Sequence, residues 1–260
     1  MADLYSRPDI YRLLFGGWSA DLPFYRALAA RVGGPILECG VGAGRVAIAL
    51  AREGHAVHGV DTEGAMLDEL ALNVKSEAED IRARVTMERS DVRDLELGRR
   101  FPLVIAPFNL VSRLVEDRDV ESFLGRVRRH LDAGGTFAFD RWIPDEALLA
   151  GFVGESPRFP HPRNGRPVRC EERYAFDPRR RVLTMEITLT PVEDSEACER
   201  VVNRYRVFAP EEIERFLSTA GLEVVHRTDR FDPWGGGTAT EPGDIVAYVC
   251  RATDSVAPRG

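Results

Sequence analysis

Apolar residues recur along the chain in two rhythms, and the change from one to the other divides it. Between residues 35 and 142, short apolar runs alternate with stretches whose apolar positions recur every three or four residues. The runs are Pro35 to Cys39, Ala56 to Val60, Val85 to Glu88, Leu103 to Ala106 and Thr136 to Phe139. The helical stretches are Arg45 to Arg52, a segment capped by Thr62 and continuing through Met66, Leu67, Leu70 and Val74, and Val120 to Leu131. Phe123, Leu124 and Val127 form the inward face of the last, and Gly134-Gly135 reads as its stop signal. Strands alternating with helices predict a parallel sheet covered on both faces.

The rhythm then becomes period two. Leu183, Met185, Ile187 and Leu189 alternate with Thr184, Glu186, Thr188 and Thr190. Val168, Cys170, Tyr174 and Phe176 keep one parity, interrupted by Glu172, and Val201 to Phe208 supplies a third run. Such alternation places one strand face against a core and the other in water, as in an antiparallel sheet. The DPRR turn at Asp177 to Arg180 joins the first two runs as a hairpin, and the proline-rich stretch Arg158 to Arg169 reads as loop. Pro210 opens another helix, with a stripe of Ile213, Phe216 and Leu217 and Gly221 as its end. Leu222 to Val225 and Ile245 to Val249 close the sheet; residues 228–244 read as loop and 253–260 as a frayed tail. The expected organisation is a broken helical arm over 1–34, an α/β core over 35–151 and 210–252, and an antiparallel insertion over 152–209.

Composition narrows the partners. Apolar residues make up 44% and charged residues 30%, which is ordinary for a globular chain, and the formal charge is −7. Long-range repulsion disfavours nucleic acid. No apolar run approaches the roughly 18 residues of a membrane span, and the first ten residues lack the regions of a signal peptide. Cys39, Cys170, Cys198 and Cys250 form no CxxC pair, so no metal or redox motif is expected. A reduced, cytoplasmic protein with cysteines packed in its core fits this usage. His55, His58 and His130 read as structural, the charged form of His130 suiting a helix end, and His161 as an exposed loop residue.

The chemistry concentrates at ILECGVGAGRVAIALAREGHAVHGVD, Ile36 to Asp61. Glycine tolerates positive φ and lets a ligand approach the backbone, and the next helix offers free N–H groups. An acidic side chain at the end of the second strand can accept hydrogen bonds from two ribose hydroxyls, and Asp61 lies 21 residues after Gly40. Counted from Gly42, the run through Ala47 also passes the dinucleotide pattern, so this pattern leaves NAD open.

Glu38-Cys39-Gly40-Val41-Gly42-Ala43-Gly44 resembles the E/D-x-G-x-G-x-G signature of the class I S-adenosylmethionine-dependent methyltransferases. Asp61, Met66 in DTEGAML, Asp91 in RSDVRDL, PLVIAPFN (Pro102 to Asn109) and LDAGGTFAFD (Leu131 to Asp140) follow in that family's order. The resemblance covers about residues 20–142, and YRVFAPEEIERFLSTAGLEVV extends it. It implies a Rossmann-like, mostly parallel seven-stranded sheet flanked by helices, with the antiparallel β insertion as substrate lid or dimer element and a homodimer as a candidate assembly. It implies S-adenosyl-L-methionine as cofactor, held by Glu38, Gly40, Gly42, Gly44, Arg45, Asp61, Thr62, Met66, Asp91, Val92, Ala106 and Tyr11, and no metal. Acceptor contacts fall on Trp18, Phe108, Asn109, Arg113, Asp140, Arg141 and Trp142.

Ala106-Pro107-Phe108 departs from the Asn/Asp-Pro-Pro-aromatic motif of the nucleic-acid members, which points to a small-molecule acceptor. Amine, hydroxyl and activated carbon all remain open. No committed base is visible, which favours an amine or a substrate activated by position. The rival expectations are an NAD(P)-linked oxidoreductase of the same sheet class and a non-catalytic cofactor-binding domain.

Overall fold

The computed structural model describes residues 2–161, 163–193, 198–229, 231 and 245–253. The chain divides into two units, Met1–Trp18 with Pro144–Val207, and Ser19–Ile143 with Phe208–Gly260. The first half contributes β1 (Ala2–Asp3), a short 3-10 turn (Leu4–Ser6), α1 (Pro8–Phe15), α2 (Leu22–Val32), β2 (Ile36–Cys39), α3 (Arg45–Arg52), β3 (Val57–Asp61), α4 (Gly64–Lys75), α5 (Glu79–Arg82), β4 (Val85–Arg89), β5 (Phe101–Ala106) and α6 (Leu110–Arg113). Then come α7 (Asp117–His130), β6 (Leu131–Trp142), α8 (Glu146–Leu149), β7 (Val153–Pro160), β8 (Pro167–Asp177), β9 (Val182–Pro191), β10 (Glu199–Arg206), α9 (Pro210–Thr219), β11 (Leu222–Thr228) and β12 (Ile245–Ala252).

In the larger unit seven strands hydrogen-bond in the order β11-β12-β6-β5-β2-β3-β4. β6, β5, β2, β3 and β4 run parallel, and β12 pairs antiparallel with both β6 and β11. One face is covered by α7 and α9 through Phe123, Leu124, Val127, Ile213, Phe216 and Leu217, above a stack of Phe137, Phe139 and Tyr248. The other is covered by α2, α3 and α4 through Phe24, Tyr25, Leu28, Val46, Leu50 and Leu70. Strand β2 lies between β3, which follows it in sequence, and β5, reached by a crossover back across the sheet. The crevice at their carboxyl ends is the switch point where such sheets bind ligands.

Two readings of this unit change. Gly134-Gly135 do not stop the helix; α7 ends at His130 and β6 begins at once. The two glycines sit in a bulge, since Phe101 faces Leu131 while Leu103 already faces Thr136. Thr62 does not cap α4, whose N-cap is Glu63. His130 accepts from Leu97 N at 3.0 Å through Nε2 and bonds the Arg126 carbonyl at 2.7 Å through Nδ1.

The smaller unit is a five-stranded sheet, β1-β10-β9-β8-β7. The hairpin between β8 and β9 is as expected; Asp177 Oδ1 accepts from Arg179 N and Arg180 N at 2.9 and 3.2 Å. The proline-rich stretch from Arg158 is strand in its first residues, because β7 extends to Pro160 and pairs with β8. Proline is tolerated there because β7 is an edge, and a register shift falls between Ser156 and Phe159. Residues 2–18 join this sheet rather than the seven-stranded one, β1 pairing in parallel with β10. A charged cluster supports that join. Arg7 reaches Asp9 at 2.9 Å and Glu199 at 2.5 Å, Arg163 reaches Asp9 at 2.7 Å, and His161 Nε2 lies 3.0 Å from Glu199. His161 is therefore buried, not exposed as its loop suggests. Cys39, Cys170 and Cys250 are core residues, whereas Cys198 is exposed. The expected loop and tail lie outside the described residues except for Thr228, Asp229, Phe231 and Thr253.

Candidate cofactor site

The carboxyl ends of β2, β3, β5 and β6 bring most of the candidate residues to one edge of the larger unit. Gly40, Gly42 and Gly44 all have positive φ, at 68°, 53° and 85°. Their surroundings differ. A Cβ on Gly44 would lie 2.2 Å from Leu70 Cδ1, and one on Gly40 would lie 3.0 Å from Leu110 Cδ1, whereas one on Gly42 would meet nothing within 4 Å. Gly42 thus presents bare backbone to open space. Asp61 shapes that backbone: Oδ2 accepts from Gly42 N at 2.8 Å and Oδ1 from Glu63 N at 2.9 Å. Burial pushes the Asp61 carboxyl up, against those backbone donors and the nearby Arg113 cation, which favour its ionised form.

Glu38 ends the same wall. It is buried, and its Oε2 has no hydrogen-bond partner among the described residues. Burial pushes its carboxyl well above the ordinary range, with the Arg45 cation opposing and Asp21 and Asp61 reinforcing the rise. A buried carboxylate oxygen left without a donor is costly unless a ligand supplies one. Met66 and Ala106 are fully buried and Val92 nearly so.

On the acceptor side of the crevice, Phe108 and Asn109 follow β5 with φ of 57° and 66°. Non-glycine residues seldom adopt that region without support. Asp140, from the end of β6, provides it: Oδ2 accepts from Phe108 N at 2.9 Å and from Tyr25 Oη at 2.7 Å, and Oδ1 accepts from Asn109 N at 2.9 Å. The Asn109 side chain in turn accepts from Trp142 N at 3.0 Å. Burial pushes the Asp140 carboxyl up to about 6. Because that is above the ordinary value, the ionised group costs stability above pH 6, and the cost is relieved as pH falls from about 6 toward 4.

Other candidates have different surroundings. Arg141 points to the opposite face, where Nε and Nη2 donate to Tyr248 Oη at 3.2 Å and Nη1 to the Phe208 carbonyl at 3.0 Å. Asp91 is paired with Arg93 at 2.6 Å, which holds its carboxyl below the usual range. Thr62 offers its carbonyl to Arg89 Nε at 2.9 Å. Arg45 grips Asp21 through two contacts of 2.5 and 2.6 Å and lies over the Phe108 ring at 5.6 Å. Tyr11 and Trp18 belong to the smaller unit, where Tyr11 packs against Tyr5 and Phe15 with centroids 5.4 and 5.5 Å apart.

Two residues that the sequence reading passed over, Asp21 and Tyr25, are central to this edge. Asp21 precedes Leu22-Pro23 and looks like an ordinary helix cap, yet its side chain makes no cap bond. Both are fully buried, and only the distant partners Arg45 and Asp140 reveal their use. Among the described residues no group of His, Cys, Asp and Glu is arranged to hold a metal ion, and no helix is long and apolar enough to cross a membrane.

Comparison with known proteins bears on the domain and the fold. Residues 36–135 match the protein-family model described as a methyltransferase domain. A dTDP-3-amino-3,4,6-trideoxy-alpha-D-glucopyranose N,N-dimethyltransferase of Streptomyces venezuelae is 27% identical over 142 residues, 54% of this chain and 57% of its own length. A dTDP-3-amino-3,6-dideoxy-alpha-D-glucopyranose N,N-dimethyltransferase of Streptomyces fradiae is 26% identical over 148 residues, 53% of each chain. The match thus spans little more than half the length of these curated relatives. The solved CcbJ methyltransferase of Streptomyces caelestis superposes with a TM-score of 0.78 at 23% identity, covering 97% of this chain and 99% of its own. An amino pentose methyltransferase of Micromonospora echinaspora, solved with S-adenosylmethionine bound, gives 0.70 at 22% identity over 94% and 97%. At those identities the structures establish the shared fold. Residues 36–135 thus match a methyltransferase domain, and the chain shares its fold with solved S-adenosylmethionine-dependent methyltransferases.

Proposed function

We propose that this protein transfers the methyl group of S-adenosylmethionine to the amino group of a small molecule, an amino sugar or a compound that carries one. The observation that carries the reading is the pairing of the open backbone at Gly42 with the partnerless buried oxygen of Glu38. An ammonium group supplies the donor that oxygen lacks and favours its ionised form, whereas a pyrophosphate would add to the burial and the neighbouring carboxylates that already oppose ionisation. Asp61 spends one lone pair of each oxygen on the backbone, and an ionised carboxylate has about four such sites, so it retains acceptors for ribose hydroxyls. When bound, S-adenosylmethionine supplies an electrophilic methyl group on its sulfonium. The chain's contribution is orientation: the glycine turn and Asp61 fix the donor, and the Phe108–Asn109 turn borders the place where the acceptor nitrogen arrives, unprotonated. Asp140, committed to three donors, is not placed as a general base. The amino-sugar acceptor is supported by the sugar N,N-dimethyltransferases and the amino pentose enzyme that the chain resembles.

The test is turnover of S-adenosylmethionine against paired acceptors, nucleotide-linked and free amino sugars beside their hydroxyl counterparts, followed by mass spectrometry. Addition of one or two methyl groups to the amines alone is expected. Methylation of the hydroxyl counterparts instead would replace the amine with an oxygen acceptor, and saturable changes in NADH fluorescence would revive the oxidoreductase reading.

The same reading assigns Arg141 to the scaffold rather than to the acceptor. Arg141→Met leaves the Phe208 carbonyl and the Tyr248 hydroxyl without their charged donor, at an expected cost of about 2–4 kcal/mol in urea unfolding. S-adenosylhomocysteine affinity should stay within about twofold of wild type. A stable variant that loses acceptor affinity would return Arg141 to the substrate.

A further inference from the structure

We propose that Asp140 is a positioning residue for methyl transfer: its carboxylate clamps the Phe108–Asn109 turn against the cofactor cradle, and Tyr25 links that clamp to the helix whose Asp21 holds Arg45. The proposal rests on the methyl-transfer reading above and names what holds its acceptor side in place.

The geometry is one connected set. Both consecutive N–H groups of the left-handed pair point at the two oxygens of one carboxylate, each at 2.9 Å. In a left-handed residue other than glycine the Cβ crowds the following carbonyl, so two in succession need an anchor of this kind. Charge-assisted bonds to paired backbone donors are strong and directional. Tyr25 fills a further acceptor site at 2.7 Å and lies one helical turn from Asp21 on α2. Asp21 grips Arg45 at the first turn of α3, directly after Gly44, and the Arg45 guanidinium sits over the Phe108 ring. Leu110, just beyond the clamped pair, reaches toward the glycine turn: its Cδ1 lies 3.0 Å from where a Cβ on Gly40 would be. The turn after β5 therefore lies beside the turn after β2. A fully buried carboxyl whose ionised form costs stability is what a functional constraint retains.

Asp140→Asn is the direct test. The amide has one acceptor oxygen for two backbone donors, and its own NH2 group opposes the other. Misplacement of a substrate-positioning turn by about 1 Å costs about a hundredfold in rate, so kcat should fall about a hundredfold. S-adenosylhomocysteine affinity by calorimetry should change by less than about threefold, since the glycine turn keeps Asp61. Hydrogen exchange should rise at the Phe108 and Asn109 amides while the amides of residues 36–44 stay protected. Tyr25→Phe keeps the ring in the core and removes one link; kcat a few-fold lower with a partial rise in exchange at the same two amides is expected. It also keeps the proposal testable should Asp140→Asn not fold. Unchanged exchange at residues 108 and 109 in a folded Asp140→Asn, or kcat within twofold of wild type, overturns the proposal, as does a Tyr25→Phe protein identical to wild type in both. Failure of the wild-type protein to bind S-adenosylhomocysteine would instead overturn the methyl-transfer reading, and the exchange measurement would still decide whether Asp140 holds the turn.

Discussion

Asp61→Ala is expected to weaken S-adenosylhomocysteine binding by at least tenfold, and about a hundredfold if both ribose bonds are lost. Two hydrogen bonds to a charged acceptor, at about 1.5 kcal/mol each, amount to about 3 kcal/mol, which is roughly a hundredfold in Kd. The tenfold floor allows for water replacing part of that interaction. A second effect acts in the same direction. Without Oδ2 the Gly42 amide loses its 2.8 Å acceptor, so the turn that should receive the ligand is itself less fixed. Calorimetry measures the affinity, and a smaller rise in melting temperature on adding ligand checks it independently. An affinity within twofold of wild type would remove Asp61 from the site. Asp61 alone does not separate the methyl donor from a dinucleotide, because both carry ribose. Glu38→Gln does: removing a carboxylate that an ammonium holds ionised should weaken S-adenosylhomocysteine binding, whereas next to a pyrophosphate, where the buried carboxyl stays protonated, it should leave NADH binding little changed.

The local geometry of the candidate cofactor side of this crevice was readable in the sequence because each residue there acts on its own neighbourhood. Glycines at positive φ, an acidic end to the second strand and a buried strand before the turn all leave local marks. The sheet follows from the same rhythm, since a helix between two apolar runs forces a parallel crossover. What stayed hidden depends on partners far apart in the chain. Asp21 lies 24 residues from Arg45, and Tyr25 lies 115 from Asp140. Nothing in the local pattern tells a capping aspartate from one that grips a distant arginine. The edge strand β7 was obscured by its prolines, which only an edge would tolerate. Arg141 parts from Asp140 for a simpler reason: in a strand, neighbours point to opposite faces, so the two differ in orientation.

Gly42 and Gly44 allow the site to be divided into the part that folds and the part that binds. Both have positive φ, so alanine at either position carries a backbone cost of roughly 1–2 kcal/mol. At Gly44 the new methyl group would also sit 2.2 Å from Leu70 Cδ1 and 3.3 Å from Ile48 Cδ1, and both side chains are buried. Overpacking of that kind adds roughly 1–3 kcal/mol. Gly44→Ala should therefore lose roughly 2–5 kcal/mol, a large share of the 5–15 kcal/mol that about holds an ordinary domain together, and melt about 10 °C lower. Gly42→Ala adds its methyl to open space, so only the backbone cost acts and it should melt about 2–8 °C lower, less than Gly44→Ala. Its cost should appear on binding instead, since the proposed function has the cofactor's methionine end approach the backbone through that space. S-adenosylhomocysteine affinity should fall about tenfold, and Gly42→Val should lower it further as the side chain grows. Melting curves with and without ligand separate the two effects. If Gly42→Ala proved the less stable variant, or kept its full affinity, the open space at Gly42 would not be the cofactor's path to the chain.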